Sequence, residues 1–453
     1  ALNSILGVIG KSEWKHSWLG DPSTALWAII FMGFPWVNSF AFLVFYGGLI
    51  NIPEDLFEAA KVDGSNPAWN FFHIHLPLIS PQLKMLIITT FIGAVQDYGG
   101  VYLLTQGGPG YTTYVPGLEL YYAATKFGQY GYACAMGLVM FVVILIGSLL
   151  NLRIRTQELN SRGGRVMKKE LSAQAMRRRK RGGVIASQTL ITLLTTIFVL
   201  LAFIPIFLMV FLSLKSQAQF YSNLWAIPNP PQWSNYNAAW TQLVQNMVNS
   251  VVTVTVGTFF IVALSAMSGY VFARLEFPLK NFLFMMMLAL MMVPGVLTLT
   301  PSFKLIQRLG LKNTWWALWL PWASGGQIMG MYLCRTFISS QSPALFESAR
   351  IDGAREFQAF YKIALPLSKP ILATLVVMNM ISLYGDFIWP LLVIDSNTKQ
   401  VISVAVQIYS SSTGITDYGA MIAGFVMATI PLLLMFMFSS RLYIEGITSG
   451  AVK

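Results

Sequence analysis

Acidic residues are scarce in this chain, and several recur in pairs 289 positions apart: Glu58 and Glu347, Asp63 and Asp352, Asp97 and Asp386. The first two pairs lie in short segments rich in small residues. One reads Glu58-Ala59-Ala60 followed by Asp63-Gly64, the other Glu347-Ser348-Ala349 followed by Asp352-Gly353. Pro53-Glu54-Asp55 ahead of the first copy and Pro343 ahead of the second suit the opening turn of a short helix, where acids meet the positive end of the dipole. A short helix with an acid, small residues and a glycine-permitted bend can lie in a cleft on a partner. The chemistry implied is recognition. Asp97 and Asp386 stand instead inside long apolar runs. A carboxylate at the centre of a bilayer costs about 2.5–3.5 kcal/mol on insertion scales, so it should face a cavity or a partner. Gln96, Tyr98, Asn379, Tyr384 and Trp389 stand near these two acids in the sequence. Acids and amides can hydrogen-bond hydroxyls while rings stack on sugar faces, which makes this set a candidate wall of a solute path. The alternative is that both aspartates sit near a span end and meet water or a basic residue. The immediate neighbours rank Asp97, between Gln96 and Tyr98, above Asp386, which adjoins Gly385, Phe387 and then Trp389-Pro390.

Nothing else in the sequence offers bond-making chemistry. His16, His73 and His75 are scattered, and Cys134 and Cys334 form neither a disulfide framework nor a metal spacing. The two neighbouring histidines read most simply as polar loop residues. Gly10-Lys11-Ser12 imitates the end of a phosphate-binding loop, but Ile5 stands where the first glycine is required. Ser324-Gly325-Gly326-Gln327 interrupts an apolar run, where small residues serve close helix packing. No catalytic residue, no metal site and no cofactor of the chain's own are expected.

The elements that position these residues are helices long enough to cross a membrane. Hydrophobic residues make up 55% of the chain and charged residues 11%, less than half the roughly 25% usual in soluble domains. Nine apolar stretches meet the ~20 residues that a membrane helix needs. They lie near 25–49, 83–104, 132–151, 189–212, 249–272, 282–302, 315–337, 371–393 and 419–439. The expected fold class is all-α, a polytopic helical membrane protein. The formal charge of +12 suggests nucleic acid only until it is located. Eleven Lys or Arg against Glu158 and Glu170, between Arg153 and Arg181, supply +9 of it. A basic block flanked by spans is a cytoplasmic loop, not a nucleic-acid site. Counting outward, the loops at 50–82, 273–281 and 338–370 are cytoplasmic, and those at 105–131, 213–248 and 394–418 lie outside. The short loop with Lys304, Arg308 and Lys312 breaks the rule locally.

The paired acids belong to a wider repeat. Sliding 57–81 onto 346–370 needs no gap and gives 11 identities in 25, among them Phe57/Phe346, Leu76/Leu365, Pro77/Pro366 and Pro81/Pro370. The same offset matches Trp27 with Trp316 and Ala28 with Ala317. Two homologous, parallel halves follow, related by an axis along the membrane normal. Arg162-Gly163-Gly164-Arg165 followed by Met167-Lys168-Lys169 reads as a join. Residues 1–166 are then the three-span C-terminal part of one unit, and 167–453 a complete six-span second unit. Three further spans are expected to precede the first residue in the natural system.

Glu-Ala-Ala with a glycine four residues on, then Ile74-His75-Leu76-Pro77, resembles the signature of permeases of ATP-binding-cassette importers. The second copy is similar, with Ser348 in place of an alanine and Ile363-Ala364-Leu365-Pro366 beyond it. Leu104-Thr105-Gln106-Gly107-Gly108-Pro109-Gly110 and the tail from Gly446 to Lys453 resemble the carbohydrate branch of that family, which serves maltose-type sugars and glycerol phosphates. The resemblance implies that both loops are coupling helices docking on two cytoplasmic ATPase subunits, which hold the ATP and Mg. It also implies an extracytoplasmic solute-binding protein as partner, the bilayer as surroundings and a multi-pass place in the bacterial inner membrane. By this reading the chain is not itself an enzyme. An ion-coupled secondary transporter is the alternative, favoured by the intramembrane acids but not by the loops.

Overall fold

The apolar stretches fold as helices. The computed structural model describes residues 12–33, 39–50, 52, 54–62, 64–153, 176–223, 225–339, 341–413 and 417–449, with residues 3, 6, 7 and 10 before them. Asp63, Pro53, Ile5, Lys11, the join at 162–167, most of the basic segment and the last four residues lie outside the described residues. The chain divides into two compact units, Ala1–Val166 with Ala289–Pro301, and Met167–Leu288 with Ser302–Lys453. No strand occurs among the described residues.

Four helices are long and apolar enough to cross a membrane: Gln82–Leu104, Tyr130–Ser148, Ser234–Arg274 and Tyr418–Phe438. Two bent pairs bring the number to six among the described residues. Lys280–Leu290 with Gly295–Arg308 bends by 96°, and Glu356–Leu367 with Lys369–Gly385 by 75°. The other three expected spans are represented differently. The stretch near 25–49 contains helices Ala25–Met32 and Ser39–Ile50. The stretch at 189–212 lies within the helix Met176–Ser213, which contains Pro205. Trp316–Ser339 has 24 residues, about 36 Å at the helical rise, but Pro321 and the run Ser324–Gln327 lower its hydropathy.

That last helix is shaped for contact with protein. It runs parallel to Ser234–Arg274, as hydrogen bonds in step along both show: Trp319 Nε1 donates to Thr253 O at 3.1 Å and Ser265 Oγ to Gln327 O at 3.3 Å. Small residues allow the approach. A Cβ on Gly326 would meet Ile261 Cδ1 at 2.8 Å, one on Gly330 would strike Ser265, and one on Gly269 would strike Cys334. Gly325, one residue from this seam, has nothing within 4 Å. Lys369–Gly385 and Tyr418–Ser449 complete the core of this unit, with Leu318, Met331, Leu375 and Ala423 buried among them.

The sequence repeat is also a repeat of backbone. Helix Glu54–Val62 matches Pro343–Ile351, Pro67–Asn70 matches Glu356–Ala359, and Leu76–Leu78 matches Leu365–Leu367. Ser80–Gln96 likewise matches Lys369–Gly385, and Gly99–Leu104 matches Ile388–Val393. Every boundary is offset by the same 289 residues. Even a five-residue π-helical turn repeats, at Phe71–His75 and Phe360–Ala364. His73 and His75, polar residues of the inter-span loop, lie in this helical turn. His75 Nδ1 pairs with Asn70 O at 3.0 Å, and His73 stacks on Trp69 with ring centroids 4.4 Å apart.

Candidate functional site

The paired glycines explain how each loop helix stops. Gly64 has φ +79° and Gly353 φ +80°. In the first copy Gly64 N donates to Lys61 O at 3.1 Å and Ser65 N to Ala60 O at 3.0 Å. In the second, Gly353 N donates to Arg350 O at 3.0 Å and Ala354 N to Ala349 O at 2.9 Å. Both are Schellman caps, in which a left-handed residue satisfies carbonyls that a helix end leaves orphaned. The left-handed conformation costs roughly 1–2 kcal/mol for a residue with a Cβ, which is why glycine stands there.

One face of the second loop helix is held down. Phe346 is 3% exposed, and burying such a ring contributes about 1.5–3 kcal/mol. The Arg274 guanidinium lies 4.1 Å above its centroid, and Arg274 Nη2 also donates to Ile338 O at 2.7 Å and Gln341 O at 2.6 Å. Tyr270 OH donates to Glu356 Oε2 at 2.8 Å, and Arg350 Nη2 bridges Glu356 Oε1 at 2.9 Å. That hydrogen bond and the Glu356 charge push the Arg350 guanidinium above its usual range. Gln341 Nε2 donates to Ser368 Oγ at 3.1 Å and so joins the two ends of the loop. Helix Ser234–Arg274 thus carries the loop on its last turn. In the first unit Ala60 is buried and Phe57 pairs with His75 at 4.9 Å. Pro67 stands where the second unit has Glu356, so the latch through that carboxylate has no equivalent there.

The opposite face is open in both copies. Glu58, Ala59, Glu347, Ser348, Asp352, Gly64 and Gly353 are exposed, and Ala349 is half-buried. Exposed apolar residues keep the register as well: Leu56 with Leu345, Phe72 with Tyr361, Leu78 with Leu367. Val62 is 83% exposed and its counterpart Ile351 86%. An acid beside uncovered aliphatic side chains, repeated position for position, is the form of a docking surface.

Asp97 and Asp386 hold equivalent places but different surroundings. Each ends a membrane helix with an extended backbone, ψ 131° at Asp97 and 120° at Asp386, before a six-residue helix. Asp97 is exposed, its Oδ1 accepting from Gly99 N at 3.1 Å. Asp386 Oδ2 accepts from Trp322 Nε1 at 2.7 Å, and the residue lines a cavity of about 390 Å³ with Gly325, Asn379, Ser382 and Gly385. The structure therefore brings Asp386 and Asn379 together at one cavity, whereas Asp97 lies exposed beside Gln96 and Tyr98. Tyr384 and Trp389 are engaged in packing: Tyr384 OH donates to Ala428 O at 2.6 Å and Trp389 Nε1 to Ala317 O at 2.8 Å. In the first unit Gln96 Nε2 reaches Met292 O at 3.5 Å and Tyr98 stacks on Tyr121 at 5.1 Å. Sequence reading missed Tyr270, Arg274 and Trp322, which carry no motif; their roles come from helices 60–90 residues away in the chain.

The sequence profile of one family, described as "Binding-protein-dependent transport system inner membrane component", matches residues 2–156 and 262–444. The chain is 30% identical over 250 residues to the ABC transporter permease protein YurM of Bacillus subtilis, covering 55% of this chain and 83% of that one. It is 29% identical to the diacetylchitobiose uptake system permease protein NgcG of Streptomyces coelicolor, covering 55% of this chain and 84% of that protein. To the arabinooligosaccharides transport system permease protein AraQ of Halalkalibacterium halodurans it is 32% identical, covering 47% of this chain and 74% of that one.

Proposed function

Because the chain belongs to the family of binding-protein-dependent transport system inner membrane components, we propose that it is the permease of an ATP-driven importer for carbohydrates. Two permease units joined in one chain, 1–166 and 167–453, sit in the bacterial cytoplasmic membrane. Relatives named for diacetylchitobiose and arabinooligosaccharides support oligosaccharides as cargo. A solute-binding protein delivers the sugar outside, and two cytoplasmic ATPase subunits bind ATP and Mg and dock on the loop helices. Asp386 and Asn379 line part of the sugar's path.

The observation that carries this reading is the duplicated loop helix. Both copies end in the same glycine cap, expose the same acid and leave an aliphatic residue uncovered at the same position. Gly, exposed acid and apolar tip have no role in spanning a bilayer. The reading is tested by the double variant Glu58→Lys, Glu347→Lys. Expected is a permease that still inserts but retains much less ATPase on co-purification, with sugar uptake lost. Full ATPase retention and uptake in that variant would remove the docking role. Uptake that stops when ion gradients collapse while ATP remains would instead favour an ion-coupled carrier.

A further inference from the structure

A second cavity in the Met167–Leu288, Ser302–Lys453 unit is separate from the one at Asp386. It holds about 440 Å³ and is lined by Trp315, Trp316, Trp319, Gln245, Thr398 and Lys399, among others. That volume lies in the range of about 300–1,000 Å³ of small-molecule sites. Its residues come from the start of helix Trp316–Ser339, the fourth and fifth turns of Ser234–Arg274 and the loop after Ile394. In the topology proposed above these all lie at the outer end of the unit, where a solute arrives.

The cavity wall is braced by hydrogen bonds within the protein. Asn246 Nδ2 donates to Asn397 O and Gln400 O, each at 2.9 Å. Asn249 Nδ2 donates to Thr398 O at 2.8 Å and Gln400 O at 3.0 Å. Two buried amides thus hold the loop against the helix, and a site fixed in advance loses less entropy on binding. Two indole N–H groups are also committed, Trp315 to Lys399 O and Trp319 to Thr253 O, each at 3.1 Å. These rings can therefore offer only carbon faces and edges. Gln245 Nε2 donates to Asn249 Oδ1 at 3.0 Å, which leaves the Gln245 carbonyl oxygen as an acceptor.

Flat rings beside amides and hydroxyls match a neutral polyhydroxylated ring, apolar on its C–H face and hydrogen-bonding at its rim. A lipid headgroup fits less well. Its phosphate would find one cation, Lys399, already donating to Asn313 O at 3.1 Å. Its acyl chains would find no aliphatic side chain among the lining residues.

We infer that this tryptophan-lined cavity is an outer subsite that receives one end of an oligosaccharide before the sugar reaches the Asp386 cavity. The inference rests on the carbohydrate reading, and the test separates the two. The intact importer, with its ATPase and binding-protein partners, is assayed for uptake of labelled di- and trisaccharides of glucose, arabinose, galactose and N-acetylglucosamine. Trp316→Ala and Gln245→Ala should each raise the half-saturating concentration, Trp316→Ala by about tenfold. Trp316→Phe, which keeps a ring, should restore most of the loss, and basal ATP hydrolysis and assembly should not change. If the wild-type importer takes up none of these saccharides, the carbohydrate reading falls and the subsite with it. If it transports a sugar and both alanine variants keep the wild-type half-saturation, the subsite alone falls. Co-purified phosphatidylglycerol, measured by native mass spectrometry, that disappears in Trp316→Ala while sugar uptake holds would make the cavity a lipid site and overturn the inference.

Discussion

Two aspartates at equivalent positions stand in different surroundings because their partners differ. Asp386 has a tryptophan donor and an open cavity beside it, whereas Asp97 is exposed and bonds the backbone two residues on. A hydrogen bond to an ionised carboxylate contributes about 1.5–3 kcal/mol, and a neutral acceptor about half of that. Asp386→Asn keeps an oxygen for Trp322 and should cost about 1 kcal/mol of stability, seen as a modest fall in melting temperature in detergent. Its uptake should fall by roughly tenfold with the ATPase still attached. Asp97→Asn should reduce uptake less. Equal loss in the two variants would show that the cavity does not mark the path.

The stops and fastenings of the loop helices can be tested separately. Gly353→Ala places a Cβ on a backbone with φ +80° and should weaken the helix end by about 1–2 kcal/mol. Hydrogen exchange should then quicken for the amides of residues 343–351 and not for those of the core helices. Fastening depends on Tyr270 and Glu356, where Tyr270→Phe removes one charge-assisted hydrogen bond. Glu356 is partly exposed, and after allowance for solvent screening the loss should be about 1 kcal/mol. If the latch transmits motion, ATP hydrolysis in that variant should proceed with less sugar moved per ATP. An unchanged ratio would leave Tyr270 a packing residue only. The first unit, with Pro67 in place of the acid, should tolerate changes around its loop better.

Across the whole chain, the orientation proposed for every loop rests on the basic segment. On a background without Cys134 and Cys334, a cysteine replacing Thr398 should react with an impermeant maleimide from outside. One replacing Ile351 should react only after lysis. The reverse pattern would invert the topology and with it the placing of both loop helices and the outer cavity. Agreement would tie the docking surface to the side where ATP is found.

The sequence alone determined the helical membrane class, the repeat and the loop motifs, because each depends on composition or local order. Long uncharged runs must form helices in a bilayer, since no water is there to satisfy an open backbone. Glycine at a helix stop and an acid before it are equally local, and they were legible down to single residues. Which polar residues share a cavity was decided by tertiary structure. Tyr384 and Trp389 lie as near Asp386 in the chain as Asn379 does, yet they bond to carbonyls on other helices. Trp322 reaches Asp386 across 64 residues of sequence. Packing of one helix on another selects which face of each looks inward, and small residues such as Gly326 and Gly330 set that rotation through contacts with residues far away in the chain.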